Sequence, residues 1–406
     1  MAVNLGPPNE LKTIGGVTLA TGCAGIKNND RDDLALIHLT EGSVAAAVFT
    51  QSAFKAAPVL LAQRHLGESP PRALLINSGN ANAATGSRGV EDAVACCEAA
   101  AGALSVDVAS VLPFSTGVIG ERLPVDVIQD CTRTIAGNLA PDAWLDAARA
   151  IMTTDTVPKA VSRSIELVGH VVAVTGIAKG AGMIRPDMAT MLAFVATDAR
   201  LEPRCLDELI VHANRASFSR ITVDGDTSTN DAFVLIATGA SGMPAITSCE
   251  DPRFETLAEA ITDTAQELAQ AIVRDGEGAT KFVSITVQGG ASAEDCLAVA
   301  FTIAESPLVK TALFASDPNW GRFCMAIGRA EVAGLDPDTV SLWLDDLRVA
   351  DQGMLDPEYA ESAGAAIMSQ SEFEVRVDLG QGTASETIWT TDLSYEYVRI
   401  NAEYRT

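Results

Sequence analysis

Apolar residues occur along the chain in two spacings, and these spacings predict its secondary structure. Short apolar or alternating runs are typical of strands, and they lie at residues 44–49, 73–76, 170–177, 191–196 and 282–287. Residues 112–121 predict the end of a strand and a tight loop. Apolar positions three or four residues apart are typical of helices, and they lie at residues 90–104, 141–152 and 257–272. Because the two kinds of segment alternate for most of the chain, we expect an α/β protein in which helices pack on sheets.

The C-terminal part of the chain predicts a second domain. At 406 residues, the chain is too long for one ordinary hydrophobic core. The composition changes near residues 283–290. We therefore expect one domain at residues 1–282 and a smaller α/β domain at residues 283–406.

The last predicted strand lies at residues 387–400, where side chains alternate again. This alternation would place one set of residues on one side of the strand: Tyr395, Tyr397, Arg399 and Asn401. Val398 and Ile400 would then face the other side and anchor the strand in a core.

Composition and charge exclude several classes of protein. Apolar residues make up 48% of the chain and charged residues 20%, which is typical of a folded globular protein. The formal net charge of −25 argues against a nucleic-acid-binding protein, since such proteins normally carry a basic face. It also implies that an anionic substrate would need local cations or backbone amides in its site. No segment has the apolar length that a membrane span requires.

The cysteines and histidines do not predict a metal site. The eight cysteines form no C-x-x-C pair and do not lie beside a histidine at metal-ligand spacing. Scattered reduced cysteines, and the lack of a signal-peptide pattern at residues 1–16, predict a cytoplasmic protein. The histidines lie in no motif and are interpreted as bystanders: His38, His65, His170 and His212.

The segment at residues 179–194, KGAGMIRPDMATMLAF, carries the most chemical information. It predicts a glycine-rich turn between two strands, with Thr190 where the second strand begins. A threonine at a strand start is by itself ordinary. The glycines could also mimic a phosphate-binding loop, but the Lys-Thr ending of that motif is missing.

Seven segments in order resemble the ornithine acetyltransferase family, also called the bifunctional glutamate N-acetyltransferases. One of them is K-G-A-G-M-I-x-P-D-M-A-T-M-L at 179–192. The others are S-T-G-V-I-G at 115–120, T-T-D-T-x-P-K at 153–159, T-V-D-G-D-T-S-T-N-D at 222–231, D-G-E-G-A-T-K at 275–281, D-P-N-W-G-R at 317–322 and I-N-A-E-Y-R-T at 400–406. The resemblance covers essentially the whole chain.

The resemblance implies that the precursor cuts itself between Ala189 and Thr190. The Thr190 hydroxyl would attack the Ala189 carbonyl through a five-membered ring, and hydrolysis of the resulting ester would free the Thr190 amine. An α-amino group has a pKa of about 7.7–8.0, so a neutral fraction exists near neutral pH. That amine can then serve as the base for its own hydroxyl, which becomes the catalytic nucleophile.

The resemblance also assigns further site residues. Thr116 and Gly117 would form the oxyanion hole, although without the resemblance an ordinary turn glycine is the favoured interpretation of Gly117. Lys179 would bind a substrate carboxylate, and Glu277 could face an ammonium group. The remaining substrate-binding positions implied are Thr153, Asn401 and Thr406, together with Thr190.

The implied function is transfer of an acetyl group from N-acetyl-L-ornithine to L-glutamate in arginine biosynthesis, without a metal or an organic cofactor. Some family members also use acetyl-CoA as donor. The implied fold is a layered α/β sandwich related to self-processing aminopeptidases, and the cleaved chains would associate as α2β2. Two other classes stay open. A self-processing amidase or aminopeptidase would use water as acceptor, and a non-enzymatic binding protein would tolerate loss of Thr190 and stay one chain.

Overall fold

The computed structural model describes residues 2–27, 30–185 and 191–403. Three predicted functional residues, Ala189, Thr190 and Thr406, lie outside these ranges. Of the helices in the described ranges, none is by itself long and apolar enough to span a membrane, and one helix pair reaches that length only across a 61° bend.

Strands and helices alternate along most of the chain. In chain order the strands are β1 Val17–Gly22, β2 Leu34–Leu39, β3 Val44–Phe49, β4 Ala73–Asn80, β5 Val111–Val118, β6 Lys159–Leu167, β7 His170–Lys179, β8 Leu192–Thr197, β9 Ile221–Thr222, β10 Ala232–Ala237, β11 Phe282–Gly290, β12 Ser341–Leu344, β13 Leu347–Asp351, β14 Met354–Leu355, β15 Glu372–Asp378 and β16 Ala384–Thr391. The α-helices are α1 Ala57–Glu68, α2 Gly86–Leu104, α3 Val125–Ile135, α4 Trp144–Ala150, α5 Pro203–Ala216, α6 Pro252–Arg274, α7 Ala293–Ala304, α8 Pro307–Ala315, α9 Trp320–Gly328, α10 Glu361–Met368 and α11 Tyr395–Glu403.

Two sheets lie face to face and form the centre of a four-layer sandwich. The first has the strand order β1-β2-β4-β5 and the second the order β3-β10-β8-β7-β6. Leu74 and Ile76 of β4 belong to the same hydrophobic core as Phe194 of β8, so this core fills the space between the sheets. The rings of Phe114 and Phe194 meet across it edge to face, with centroids 5.1 Å apart.

Helices cover the outer face of each sheet. Alternation along β4 turns Ala73 and Leu75 away from the central core, into a second core that they share with α2 and α3. On the other side, α5 and α6 pack on the second sheet in a third core. The layers are thus helix, sheet, sheet, helix, and the predicted layered α/β fold is confirmed.

A third sheet, of order β14-β13-β12-β15-β11-β16-β9, contains most of the C-terminal strands and packs on α7 and α9 in its own core. Its edge strand β9 comes from the earlier part of the chain and pairs in parallel with β16. The boundary expected between residues 282 and 283 falls at the start of β11. The division into two domains stays a prediction.

The predicted final strand at 387–400 is wrong in its second half. Strand β16 ends at Thr391, and Tyr395 begins the helix α11. Helical spacing allows Arg399 to pair with Glu396 at i−3 and with Glu403 at i+4, which alternation along a strand does not offer. Val398 is 62% exposed, so it does not anchor this segment in a core.

Candidate functional site

One cavity of about 260 Å³ collects the predicted site residues that the structure describes. These residues come from distant parts of the chain: Thr116, Gly117, Thr153, Lys179, Glu277 and Asn401. Because parallel strands β4 and β5 end at the same edge of their sheet, the loops that follow them open into this cavity. The structure brings the six together, while the role of each stays a prediction.

The oxyanion candidates lie at the end of β5, against the end of β4. Gly117 pairs with Gly79 in the parallel ladder and has a φ of +130°, a conformation that glycine adopts readily. A Cβ atom on Gly117 would lie 2.3 Å from the carbonyl carbon of Gly79. The glycine therefore permits a close backbone approach that no other residue allows, and it is more than an ordinary turn residue.

Lys179 ends β7 with its side chain buried, and its Nζ donates to the Thr116 hydroxyl at 3.2 Å. Burial lowers the pKa of Lys179 below its usual range, although the nearby Asp155 carboxylate opposes that change. A lysine at a strand end is often exposed to solvent, but Lys179 is buried. A buried ammonium directed into the cavity suits a substrate carboxylate.

A buried ionic network lies beneath the cavity floor. Lys159 Nζ lies 2.6 Å from Asp155 Oδ1 and 2.7 Å from Asp275 Oδ2, and none of the three side chains is more than 1% exposed. Asp155 also accepts hydrogen bonds from the backbone N–H groups of Thr153 and Gly180, at 2.9 and 2.7 Å. The network thus fixes the backbone beside two of the predicted substrate-binding residues.

Glu277 lines the same cavity and lies between Gly182 and the C-terminal helix α11. A Cβ on Gly182 would collide with the Glu277 carboxylate, so any larger residue there would have to displace this side chain. The Glu277 N–H donates to the Ala181 carbonyl at 2.7 Å. Asn401, on α11, donates from Nδ2 to Glu277 Oε2 at 2.7 Å. The helix, rather than a strand, delivers Asn401 to the site.

Two residues of the T-S-T-N-D segment support the site and were missed as functional candidates. Asn230 donates from Nδ2 to the carbonyls of Ala81 and Ser115, at 2.7 and 2.8 Å, and so ties the loop after β4 to strand β5. Asp231 is buried, and its Oδ2 has no hydrogen-bond partner among the described residues. Burial raises the pKa of Asp231 well above its usual range, even though the Met191 amide donates to it. The only sequence signal for Asn230 and Asp231 was that they end one of the seven segments that resemble the family.

The arrangement suits acyl transfer. The cavity offers a hydroxyl, a backbone glycine and an ammonium, together with a carboxylate and a primary amide. Within the ranges that the structure describes, no three His, Cys, Asp or Glu side chains are grouped so that they could hold a metal ion.

Replacing Gly117 with alanine should lower kcat for acetyl transfer by about 10²–10³-fold, because the backbone donor would be displaced. Its Cβ would collide with the backbone of Gly79. Gly120→Ala is the matched control: this glycine of the same motif also has a positive φ, of +85°, but a Cβ there meets no atom within 4 Å. Initial rates of both variants would check the expectation. Equal activities would contradict it.

Comparisons with known proteins identify the family of the chain. A sequence profile of the ArgJ family matches residues 18–406. The arginine biosynthesis bifunctional protein ArgJ of Pseudomonas syringae pv. tomato is 51% identical over the full length of both chains. The protein of the same name from Methylococcus capsulatus is 54% identical over 97% of this chain and 96% of its own length.

One solved structure agrees as well. The crystal structure of arginine biosynthesis bifunctional protein ArgJ from Bacillus halodurans is 36% identical and covers 53% of this chain and all of its own, with a TM-score of 0.51. The family profile spans nearly the whole chain, and relatives at about half identity align with it from end to end. The chain therefore belongs to the ArgJ family.

Proposed function

We propose that the protein transfers an acetyl group from N-acetyl-L-ornithine to L-glutamate, after cleaving itself between Ala189 and Thr190. The observation that carries this proposal is the single cavity that gathers Thr116, Gly117 and Lys179 with the other described candidates. The relatives named as bifunctional proteins of arginine biosynthesis support the same activity.

In the first half-reaction the Thr190 oxygen attacks the acetyl carbonyl, and the free Thr190 amine takes the hydroxyl proton. The Gly117 N–H and the Thr116 hydroxyl stabilise the oxyanion. When the tetrahedral intermediate collapses, its C–N bond breaks, the proton passes to the leaving nitrogen, and ornithine departs. Acetyl-Thr190 remains as an ester.

In the second half-reaction the amine of L-glutamate attacks this ester within the same oxyanion hole. The C–O bond to Thr190 breaks, and the proton of the attacking amine returns to the Thr190 oxygen. Lys179 binds the α-carboxylate that both amino acids share, since its ammonium is buried at the cavity wall. No step requires a metal or an organic cofactor.

Several finer assignments belong to the same proposal. The relatives are named bifunctional, and the second activity would be acetyl transfer from acetyl-CoA to glutamate. The two fragments would stay together as an α2β2 assembly in the cytoplasm. Thr406 would complete the substrate contacts that Thr153, Glu277 and Asn401 begin.

The enzyme mixed with N-acetylornithine alone should yield a C-terminal fragment acetylated on Thr190, because the first half-reaction needs no acceptor. Mass spectrometry of the quenched mixture detects the adduct. Initial rates with both substrates varied should give parallel lines. Intersecting lines without a trapped adduct would contradict the mechanism. If the adduct decays as fast without glutamate as with it, water is the acceptor and the protein is a hydrolase.

A further inference from the structure

A second cavity, of about 210 Å³, adjoins the site cavity. The two share Gly117, Thr153 and Thr154 as lining residues, so a ligand whose reacting atoms lie at Gly117 can reach both. The charged side chains that line only the second cavity are Lys27, Arg31 and Asp33. We call this cavity the Lys27–Arg31 pocket.

Close packing fixes the position of Lys27 relative to the oxyanion glycine. A Cβ on Gly79 would lie 3.2 Å from the Cβ of Lys27, so the two backbones are in near contact. Gly79 in turn pairs with Gly117. Lys27 therefore belongs to a segment packed directly on the strand end that leads to the reaction centre.

Arg31 is anchored on the other wall of the pocket. Its Nη2 donates to the carbonyl of Met152 at 2.9 Å, immediately before Thr153. A guanidinium has five N–H donors in a planar fork that suits a carboxylate. This bond uses one of them and holds the side chain, which is half-buried, beside a predicted substrate-binding residue.

Asp33 offsets only part of the positive charge of the pocket, because it places one negative charge beside two positive ones. Its two carboxylate oxygens accept the backbone N–H groups of Ala24 and Ile26, each at 2.6 Å. Bonds of this kind stabilise a carboxylate and fix the loop that carries Lys27. In a chain of net charge −25, the pocket thus keeps a net positive charge beside the reaction centre.

The proposed reaction requires a site for two opposite charges. N-acetylornithine and glutamate share an α-carboxylate, but the side chain of the first ends in an ammonium and that of the second in a carboxylate. One environment cannot favour both. Glu277 and Asn401 form a part of the site cavity that suits the ammonium, whereas the Lys27–Arg31 pocket suits a carboxylate.

We propose that Lys27 and Arg31 bind the side-chain carboxylate of the glutamate acceptor and so select glutamate over neutral amino acids. This inference rests on the proposed function. It assigns the ammonium of the donor side chain to the site cavity and the carboxylate of the acceptor side chain to the Lys27–Arg31 pocket. Gly117 lines both cavities.

The test uses enzyme acetylated with N-acetylornithine and freed of ornithine. The rate of deacetylation by glutamate is compared with the rate by glutamine, whose side chain is similar in shape but neutral. In the Lys27→Gln/Arg31→Gln variant, kcat/KM for glutamate should fall about 10–100-fold, mostly through KM, because charge-assisted hydrogen bonds are lost. The value for glutamine should change far less, so the preference for glutamate should disappear.

Two further variants make the result specific. Arg133→Gln/Arg204→Gln changes the net charge equally at exposed positions outside both cavities, and it should behave as the wild type. Arg31→Lys keeps the charge and should recover part of the glutamate preference. Equal losses for glutamate and glutamine, or unchanged glutamate kinetics, would overturn the proposal.

The remaining outcomes separate this inference from the proposed function. The double variant could lose acetylation by acetyl-CoA and keep normal kinetics with glutamate. That result would assign the pocket to the phosphate groups of coenzyme A and overturn the carboxylate assignment. If wild-type enzyme forms no acetyl adduct, the proposed function fails. Calorimetric titration of the unacetylated enzyme with glutamate still tests the pocket, since binding should weaken in the double variant and not in the surface control.

Discussion

Replacing Thr190 with alanine should leave one uncut chain and lower acetyl transfer on the order of 10⁴-fold or more, because nucleophile and cleavage residue are lost together. The hydroxyl is the only group of this side chain that can attack the Ala189 carbonyl. Uncut protein would also lack the free α-amine that serves as base. A denaturing gel shows the cleavage, and sequencing of the C-terminal fragment of the wild type should begin at Thr190.

Thr190→Ser is the control, because it keeps the hydroxyl and the bond to be cut. This variant should still form two fragments and an acetyl adduct. Cleavage of the alanine variant at the same bond would mean that an external protease cuts the chain. Uncut wild-type protein with full transfer activity would show that the free amine is not needed.

Local patterns were sufficient for most of the fold. The run at 44–49 coincides with β3, and the helical face predicted at 257–272 lies inside α6, with Leu257 and Ile261 buried. These predictions succeed because an element that buries one face carries apolar residues at the repeat of that face, about every 3.6 residues in a helix and every second residue in a strand. The prediction for the α11 segment was wrong because its few aromatic and charged side chains fit the period of a strand as well as that of a helix. The pairs of Arg399 with Glu396 and Glu403 are compatible with the helix, but they are exposed and contribute little to its stability.

The site was predicted by resemblance, and its supporting residues were not. Asp155, Lys159 and Asp275 lie up to 120 residues apart, and no periodicity indicates that their side chains meet. The Lys27–Arg31 pocket was missed for a similar reason, since two basic residues in a loop are usually a solvated surface. Such contacts become visible only when the chain is folded, because they depend on where the sheets place distant loops.

Lys159→Met should lower the free energy of unfolding by about 3–5 kcal/mol, because it leaves two buried carboxylates without their shared cation. The methionine is similar in shape, so packing changes little. Asp155 and Asp275 both lie within 2.7 Å of the lysine nitrogen. Urea unfolding followed by circular dichroism measures the loss. Lys12→Met, at an exposed lysine, is the control and should stay close to the wild type.

The loss of unfolding free energy in Lys159→Met should depend on pH, whereas a simple packing defect would not make it do so. Burial raises the pKa of Asp155, but the ammonium groups of Lys159 and Lys179 outweigh burial and hold that pKa below its usual range. The wild-type network therefore stabilises the fold above the unfolded pKa of about 3.9, and this contribution is lost as the pH falls through the folded pKa. Without Lys159, burial acts on Asp155 with less opposition, and its carboxyl should take up a proton more readily.

The difference between Lys159→Met and wild type should thus be largest near neutral pH and should shrink as the pH is lowered to about 5. A difference that stays constant over this range would show that lost packing, rather than unpaired charge, destabilises the variant. Because Asp155 holds the Thr153 and Gly180 amides, the folded variant should also bind substrate more weakly. Asp275 lies two residues before Glu277 and accepts the Thr156 N–H at 2.9 Å. The buried Lys159 therefore couples the stability of the sandwich to the geometry of the site, because its two carboxylate partners hold the loops that carry Thr153, Gly180 and Glu277.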